Sequence, residues 1–338
     1  MKRLLVFIVV IAVPFVFGGC YDMTEIEDIE TVFAVCAEDG KITYCTVTAS
    51  SDKKDYGFEL YPVETEDLYK GLNIVSLKTG KEVSVSHLGV IVFKTGSSPT
   101  LIRSVCESAI RGSEFHPKVL TAFVDMEISD FFEKMTVSED TVMYRKLTDV
   151  LDDRYASVTK STVMDLYHGI MQRSLGVNIP VITLDGDGNI VTDGSCHVSG
   201  DRIMYINQNL TDTVNLLKNS GKPVYFTLSG GSVAAKVTGG SAEFDRNGNH
   251  ISISTEIDIS GQYVNKDTRA ELEDRIRSDV VRIVNEKNNG FDILGLNREM
   301  RRAFFTEGEF LDFCNSKGGF EGMLRELNFD ITLREGNT

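Results

Sequence analysis

The amino-acid sequence predicts an α+β fold of more than one domain, in which mixed sheets pack against helices. Three observations support this prediction. The chain has 338 residues, and at roughly 150 residues per domain this length corresponds to two or three domains. Its first half alternates apolar strands with amphipathic helices. Its second half has many short strands and one long helix.

The first half is predicted to open with a hairpin. Thr31–Ala37 and Ile42–Ala49 are rich in β-branched residues and flank an Asp39-Gly40 turn, and the polar residues 50–58 are predicted to form a loop. His87–Lys94 is almost continuously apolar, as expected of a strand buried on both faces. The same rules predict helices over Thr65–Thr79, Pro99–Arg111, Val142–Asp153 and Ser161–Leu175, and strands over Leu120–Met126 and Asn178–Leu184.

The second half is predicted to consist mainly of short strands broken by Gly and Asn. These strands cover Ile190–Val198, Arg202–Ile206, Val224–Leu228, Ala234–Val237, Ala242–Asp245, Ile251–Ser260 and Leu324–Leu333, with a tight turn at Asn247-Gly248. Thr268–Lys287 is the clearest helix of the chain. Its apolar face is formed by Leu272, Ile276, Val280, Ile283 and Val284. Near 185–195 the sequence changes from alternating strands and helices to short strands broken by Gly and Asn. We therefore place a domain boundary there, between an N-terminal α/β region of two sub-domains (20–188) and a C-terminal α+β domain (189–335).

The N-terminus predicts an exported, lipid-anchored protein. Lys2 and Arg3 precede an uncharged run over Leu4–Phe17, which is short for a membrane span but typical of a signal peptide. Gly18-Gly19 and then Cys20 follow this run, as in the cleavage and acylation site of a lipoprotein. We therefore expect residues 1–19 to be removed and Cys20 to carry the lipid. The alternatives are an uncleaved helical anchor and ordinary secretion with a free thiol.

The charge balance excludes some classes of partner. The chain has 35 Lys and Arg residues against 50 Asp and Glu residues, a net charge of −15. Nucleic acid binding requires cationic side chains that neutralise phosphates, so we expect no nucleic acid partner. Anionic lipid headgroups also repel such a surface. Membrane attachment therefore requires an anchor, and two acyl chains on Cys20 would supply one.

The motif search finds no catalytic, cofactor or metal site. The five histidines never occur four residues apart, and neither GxGxxG nor a Walker A motif is present. Asp185–Asn189 resembles the start of a calcium loop but has Ile190 and Cys196 in place of the glycine at the sixth position and the glutamate at the twelfth, which favours a hairpin turn. The adjacent residues of Gly194–His197 alternate across a strand and are unsuited to a catalytic dyad. Cys36 and Cys45 could face each other across the hairpin, but we expect buried free thiols.

Several segments in order resemble the Ger(x)C family, the lipoprotein C subunits of spore germinant receptors. Gly19-Cys20-Tyr21-Asp22 is similar to the family's Gly-Cys-Trp-Asp start, and His87–Phe93 looks like its "HLKVIVF" strand. Weaker similarities follow at Arg103 and Arg111 in a helix, Val119–Val124, Tyr144–Leu151, Ile179-Pro180, Gly194–Val198, Thr268–Leu296 and Phe329–Glu335. Phe17, the missing Trp and a shortened stretch after Leu296 depart from the pattern.

The resemblance implies a three-domain α+β body without enzymatic activity or cofactor. It implies a lipid-anchored protein on the extracytoplasmic face of the spore inner membrane, acting in nutrient-triggered germination with the integral-membrane A and B subunits of the receptor. A generic envelope lipoprotein and an extracytoplasmic solute-binding lipoprotein are the alternatives. The latter would require two similar lobes, for which residues 190–265 are too rich in strands. An exported hydrolase would require a His/carboxylate or Ser/His pocket.

Overall fold

The computed structural model describes eleven stretches of the chain: 29–49, 56–112, 115–116, 118–135, 143–152, 158–171, 176–218, 222–245, 250–285, 291–316 and 327–335. The expected signal peptide, Cys20 and the Asn247-Gly248 turn lie outside these stretches. Within them, no helix is both long and apolar enough to cross a bilayer.

A large mixed sheet occupies the first part of the fold. Its strands are β1 (Ile29–Glu38), β2 (Lys41–Ala49), β3 (Tyr56–Val63), β4 (Glu82–Ser84), β5 (Val90–Lys94), β6 (Leu120–Val124), β7 (Val177–Leu184), β8 (Ile190–Ser199) and β9 (Arg202–Ile206). They lie in the order β3-β2-β1-β5-β6-β7-β8-β9, and β4 pairs with the start of β1. The central strands β1, β5, β6 and β7 are parallel, whereas both flanks are antiparallel.

Helices cover both faces of this sheet. Helices α1 (Leu68–Thr79), α2 (Pro99–Arg111) and α5 (Val163–Met171) pack on one face, and α3 (Ile128–Lys134) and α4 (Met143–Leu151) on the other. Because β5 lies between the two layers, its residues Val90–Phe93 are all buried, as the apolar run predicted. The α2 prediction is confirmed at both ends. Ser98 accepts a hydrogen bond from the Leu101 amide, and Pro99 occupies the first turn, where its missing N–H is harmless.

A smaller sheet is formed near the C-terminus. It contains β10 (Val224–Leu228), β11 (Gly231–Asp245), β12 (His250–Ser260) and β13 (Leu327–Glu335), in that order. Strand β13 runs parallel to β12, and the other pairs are antiparallel. Helix α6 (Gln208–Lys218) precedes these strands, and helix α7 (Lys266–Asn285) follows β12 and packs on this sheet through its predicted stripe. Leu272, Ile276, Val280 and Ile283 are at most 3% exposed.

Helix α6 (Gln208–Lys218) connects the two sheets and was not predicted. It is buried on several sides, and its buried residues include Thr211, Thr213 and Asn215. Thr211 lies 3.0 Å from the Ser195 hydroxyl of the large sheet, and Thr213 donates a 2.7 Å hydrogen bond to Asp279 of α7. Because these polar residues interrupt the apolar pattern, α6 has no clear helical period in the sequence.

The expected boundary at 188/189 does not coincide with the change of sheet. Strand β8 pairs with β7 along most of its length, and β9 pairs with β8, so residues up to Ile206 extend the large sheet. The strand with which a given strand pairs is decided by contacts between residues far apart in the sequence, so a change of composition along the chain does not reveal it. The division into an N-terminal region and a C-terminal domain stays a prediction.

Other differences from the predicted elements have local explanations. Tyr56–Val63 forms an edge strand where the sequence suggested a loop up to residue 58. The two strands predicted within 234–245 are one, because a bulge between Val237 and Gly239 carries β11 past the two glycines. Helices α3, α8 (Leu296–Arg301) and α9 (Glu307–Ser316) and the short strand β4 were not predicted.

The register of the first hairpin places Cys36 and Cys45 close together without making them opposite. Asp39 and Gly40 form the loop, so Cys36 pairs with Thr43, and Cys45 pairs with Ala34. Both side chains belong to the same buried layer of the large sheet. Both are free thiols, as expected, and burial together with the neighbouring Cys36 raises the pKa of Cys45.

Candidate functional site

A cleft of about 720 Å³ lies where the two sheets approach each other. Its walls come from β11 and β12, from the end of α6 and from the segment that leads into α8. The large sheet contributes Gly176, just before β7. The lining residues are Gly176, Leu217, Lys218, Val237–Ala242, Ile253–Thr255, Asp292, Leu294–Leu296, Arg298 and Glu299. Small-molecule sites in proteins have volumes in this range.

The floor of the cleft is formed by backbone and small side chains of β11. The bulge after Val237 brings Gly239 opposite Glu256 and Gly240 opposite Thr255. A Cβ atom on Gly240 would lie 2.6 Å from the Ser254 carbonyl oxygen, so only glycine fits this close strand pairing. The absence of side chains at these two positions leaves the floor open.

The carboxylate of Asp292 organises the wall that leads into α8. It accepts hydrogen bonds from the backbone amides of Leu296 and Asn297, each 2.7 Å long. Gly295 turns the chain between Asp292 and Leu296, and its φ of 77° lies in the left-handed region that glycine adopts readily. The side chain is only 5% exposed. Burial therefore raises the pKa of Asp292 to about 6, despite the amides that favour its charged form.

Lys218 places a positive charge inside the same cleft. The residue is exposed over part of its surface, and its Nζ atom donates a 3.3 Å hydrogen bond to the Ile293 carbonyl oxygen. The enclosure lowers the pKa of Lys218, and the nearby Asp292 carboxylate opposes this effect.

A buried polar pair lies directly behind Gly176. Asn178 and His197 are opposite each other in the β7–β8 pairing, and His197 Nδ1 lies 2.5 Å from Asn178 Oδ1. An amide oxygen only accepts, so Nδ1 carries the proton and donates. The second ring nitrogen, Nε2, is buried without a hydrogen-bond partner. Burial and the cations Lys218 and Arg202 lower the pKa of His197 to about 3, so the ring is neutral.

Phe291 connects this pair to the cleft wall. Its ring meets the His197 ring edge to face at a centroid distance of 5.6 Å, and the Arg202 guanidinium lies 4.4 Å from its centre. Phe291 is adjacent to Asp292 in the chain. The packing of the large sheet therefore fixes the position of the segment that lines the cleft.

A second polar contact joins α6 to the elements around it. Gln208 Oε1 accepts a 2.7 Å hydrogen bond from the Gly194 amide, and its Nε2 donates to Asp212. Burial, with a contribution from the neighbouring Asp279, raises the pKa of Asp212 to about 6. Arg275 of α7 opposes this increase through its charge.

The candidate nucleophiles and bases of the sequence are engaged in structural contacts. Ser195 is paired with Thr211, and burial raises the pKa of Cys196 to about 12. The ring of His197 is inaccessible. Asp185 closes the predicted hairpin turn by accepting from the amides of Asp187 and Asn189. Among the residues that the structure describes, no group of three or more His, Cys, Asp and Glu is placed to hold a metal ion.

Only part of this site could be predicted from the sequence. Cys20, the predicted lipid site, lies outside the described residues. Asp292–Leu296 is the end of the segment Thr268–Leu296, which resembles the family pattern, and its Asp-x-x-Gly spacing suits a carboxylate that caps a helix. Nothing in the sequence distinguished Lys218, because its position depends on the unpredicted helix α6.

Comparison with known proteins identifies the family. A family model described as the spore germination protein N-terminal domain matches residues 15–184, half of the chain, including Cys20 and the β5 strand. No curated protein sequence matches. The crystal structure of the GerBC protein is similar in fold, with a TM-score of 0.51 at 15% identity over 88% of this chain and 93% of that one. The chain therefore belongs to the Ger(x)C family of spore germination proteins.

Proposed function

We propose that the chain is the lipid-anchored, non-catalytic C subunit of a spore germinant receptor, acting in nutrient-triggered germination. Diacylated Cys20 would hold it on the extracytoplasmic face of the spore inner membrane, where it binds the integral-membrane A and B subunits. The observation that carries this proposal is the family match, which begins before Cys20 and continues through β7. The similarity in fold to GerBC over most of both chains supports it.

Attachment to the membrane makes binding to the other subunits easier. A tethered protein has a high effective concentration at its neighbours, so individually weak contacts suffice. The net charge of −15 favours polar and charged contacts, which weaken as salt screens them. The proposed complex should therefore dissociate more readily at high ionic strength.

The anchor is tested with a Cys20→Ala variant of the tagged full chain in a spore-forming host. We expect this variant to lose incorporation of labelled palmitate and to leave the membrane fraction. Cys314→Ala is the matched control, because Cys314 is a buried free thiol in α9 and should not affect fractionation. Unchanged labelling of Cys20→Ala would refute the anchor.

The receptor role is tested by purification of tagged protein from spore membranes and by germination of a deletion strain. We expect two polytopic membrane proteins to co-purify at low salt, less at high salt, and germination to fail with at least one nutrient. Normal germination with every nutrient tried, together with no recovered membrane partner, would favour the generic envelope lipoprotein. Recovery of a transporter would favour the solute-binding alternative, against which the dissimilar architecture of the two sheets already argues.

A further inference from the structure

The cleft between the two sheets combines apolar surface with the ammonium group of Lys218. Leu217, Ile253 and Leu294 are partly buried side chains that pack against the core of the small sheet and also line the cleft. They leave part of their apolar surface facing its interior. Such a surface is suited to the hydrocarbon part of a small molecule.

Both acidic side chains of the cleft are already engaged. Asp292 accepts from two backbone amides, as described above, and Glu299 forms a 2.6 Å ion pair with Arg302. The two basic side chains are less engaged. Lys218 uses one of its three donors on a carbonyl oxygen, and the structure shows no acceptor for Arg298 among the residues it describes.

The charges that line the cleft favour a monoanion over a dianion. An ammonium that uses only one of its donors is stabilised by an anion that accepts from the others. A dianion such as phosphate would bring two negative charges near the carboxylates of Asp292 and Glu299, whereas a monoanion brings only one to the ammonium of Lys218. In a chain whose net charge is −15, only a local arrangement of this kind attracts an anion.

We propose that the cleft binds a small amphiphilic monocarboxylate, with its carboxylate at Lys218 Nζ and its apolar part along Leu217 and Leu294. The ligand contacts both sheets, because Gly176 belongs to the large sheet and the floor belongs to β11. Its binding therefore favours one relative position of the two sheets. This inference goes beyond the proposed receptor role, since it concerns the isolated chain and requires no partner.

The test is calorimetric titration of the purified full chain with hexanoate at neutral pH and low salt. Hexanamide, which has the same shape without the charge, and inorganic phosphate are titrated in parallel. We expect hexanoate to bind at least about tenfold more tightly than either, as expected when a charge-assisted hydrogen bond is lost. Equal affinity for hexanamide, tighter binding of phosphate, or no binding of hexanoate would overturn the proposal.

Variants of the chain locate the site. Lys218→Met keeps the length of the side chain and should weaken hexanoate binding at least about tenfold, whereas Lys218→Arg should retain most of it. Lys236→Met is the matched control, because Lys236 is exposed on the same strand as the floor but does not line the cleft. Ala242→Leu should reduce binding by filling the cleft. Hexanoate binding that is unaffected by Lys218→Met, in a variant with the thermal stability of the parent chain, would refute the assignment.

Discussion

Asn178 and His197 are opposite each other on β7 and β8, and their side chains share a buried hydrogen bond of 2.5 Å between Oδ1 and Nδ1. The pair lies on the antiparallel flank of the large sheet, behind the residue that contributes to the cleft. The contact fixes the ring in one orientation, and burial keeps the ring neutral.

We expect this histidine to make the protein sensitive to mild acid. Its pKa is lowered to about 3 in the folded chain and is about 6.5 in an unfolded one, so the unfolded state binds more protons between these values. The free energy of unfolding should therefore fall by about 2 kcal/mol between pH 7 and pH 5 on account of His197. Denaturant titrations of His197→Gln should show a fall in the free energy of unfolding between pH 7 and pH 5 that is about 2 kcal/mol smaller than in the parent chain. His168→Gln, at an exposed position, should behave as the parent chain.

The space at Gly176 should tolerate no side chain. A Cβ atom there would lie 2.0 Å from His197 Nε2, and both strands are held by the sheet. Gly176→Ala should therefore lower the free energy of unfolding by about 1–3 kcal/mol. Gly186→Ala is the matched control, because nothing lies within 4 Å of a Cβ atom at Gly186. Equal stability of the two variants would contradict the packing described here.

Neighbouring valines on α7 offer a direct comparison of burial. Val280 is 1% exposed and faces the small sheet, whereas Val281 is 54% exposed. Val280→Asp should cost about 3–5 kcal/mol, because it buries an unpaired carboxylate. Val281→Asp should change the stability by no more than about 0.5 kcal/mol. Thermal unfolding of the two variants measures the difference, and a similar loss in both would mean that the helix faces another way.

The cap of α8 should depend on the Asp292 side chain. Asp292→Ala leaves the amides of Leu296 and Asn297 without their acceptor and should cost about 1–2 kcal/mol. Asp292→Asn keeps one acceptor and removes a buried charge, so its stability at pH 7 should lie closer to the parent. Chemical unfolding checks this order. Asp312→Ala, at an exposed position of α9, should have little effect, and an equal loss in that variant would count against a specific cap.

Asp212 should make the protein less stable as the pH rises. Its pKa is raised to about 6 in the folded chain, so the folded state binds more protons than the unfolded state between about pH 4 and 6. The stability that this difference provides is lost as the pH rises through 6. Asp212→Asn should therefore be more stable than the parent by about 1 kcal/mol at pH 8 but not at pH 4, an estimate reduced for partial exposure. Asp274→Asn, at an exposed position of α7, should show no such dependence when melting temperatures are compared.

The elements predicted from the sequence are those whose evidence is local. The Asp39-Gly40 turn fixed the first hairpin, and the capping pair Ser98 and Pro99 fixed the start of α2. The apolar period of α7 identified its buried face, although that face packs on two surfaces. Leu272, Ile276 and Val280 belong to the core of the small sheet, whereas Ile283 packs in a cluster with residues of α6. The continuous apolar run of β5 likewise follows from burial on both faces.

The position of each strand in a sheet, and the site itself, were decided by tertiary structure. Strand β8 joined the large sheet because it pairs with β7, although its Gly- and Asn-rich surroundings resemble those of the strands that follow. Helix α6 is stabilised by polar contacts with Ser195 of β8 and with Asp279, which is 66 residues away from its partner Thr213. The cleft depends on both of these arrangements. Lys218 and Asp292 both line the cleft because long-range packing brings together residues that no pattern along the sequence connects.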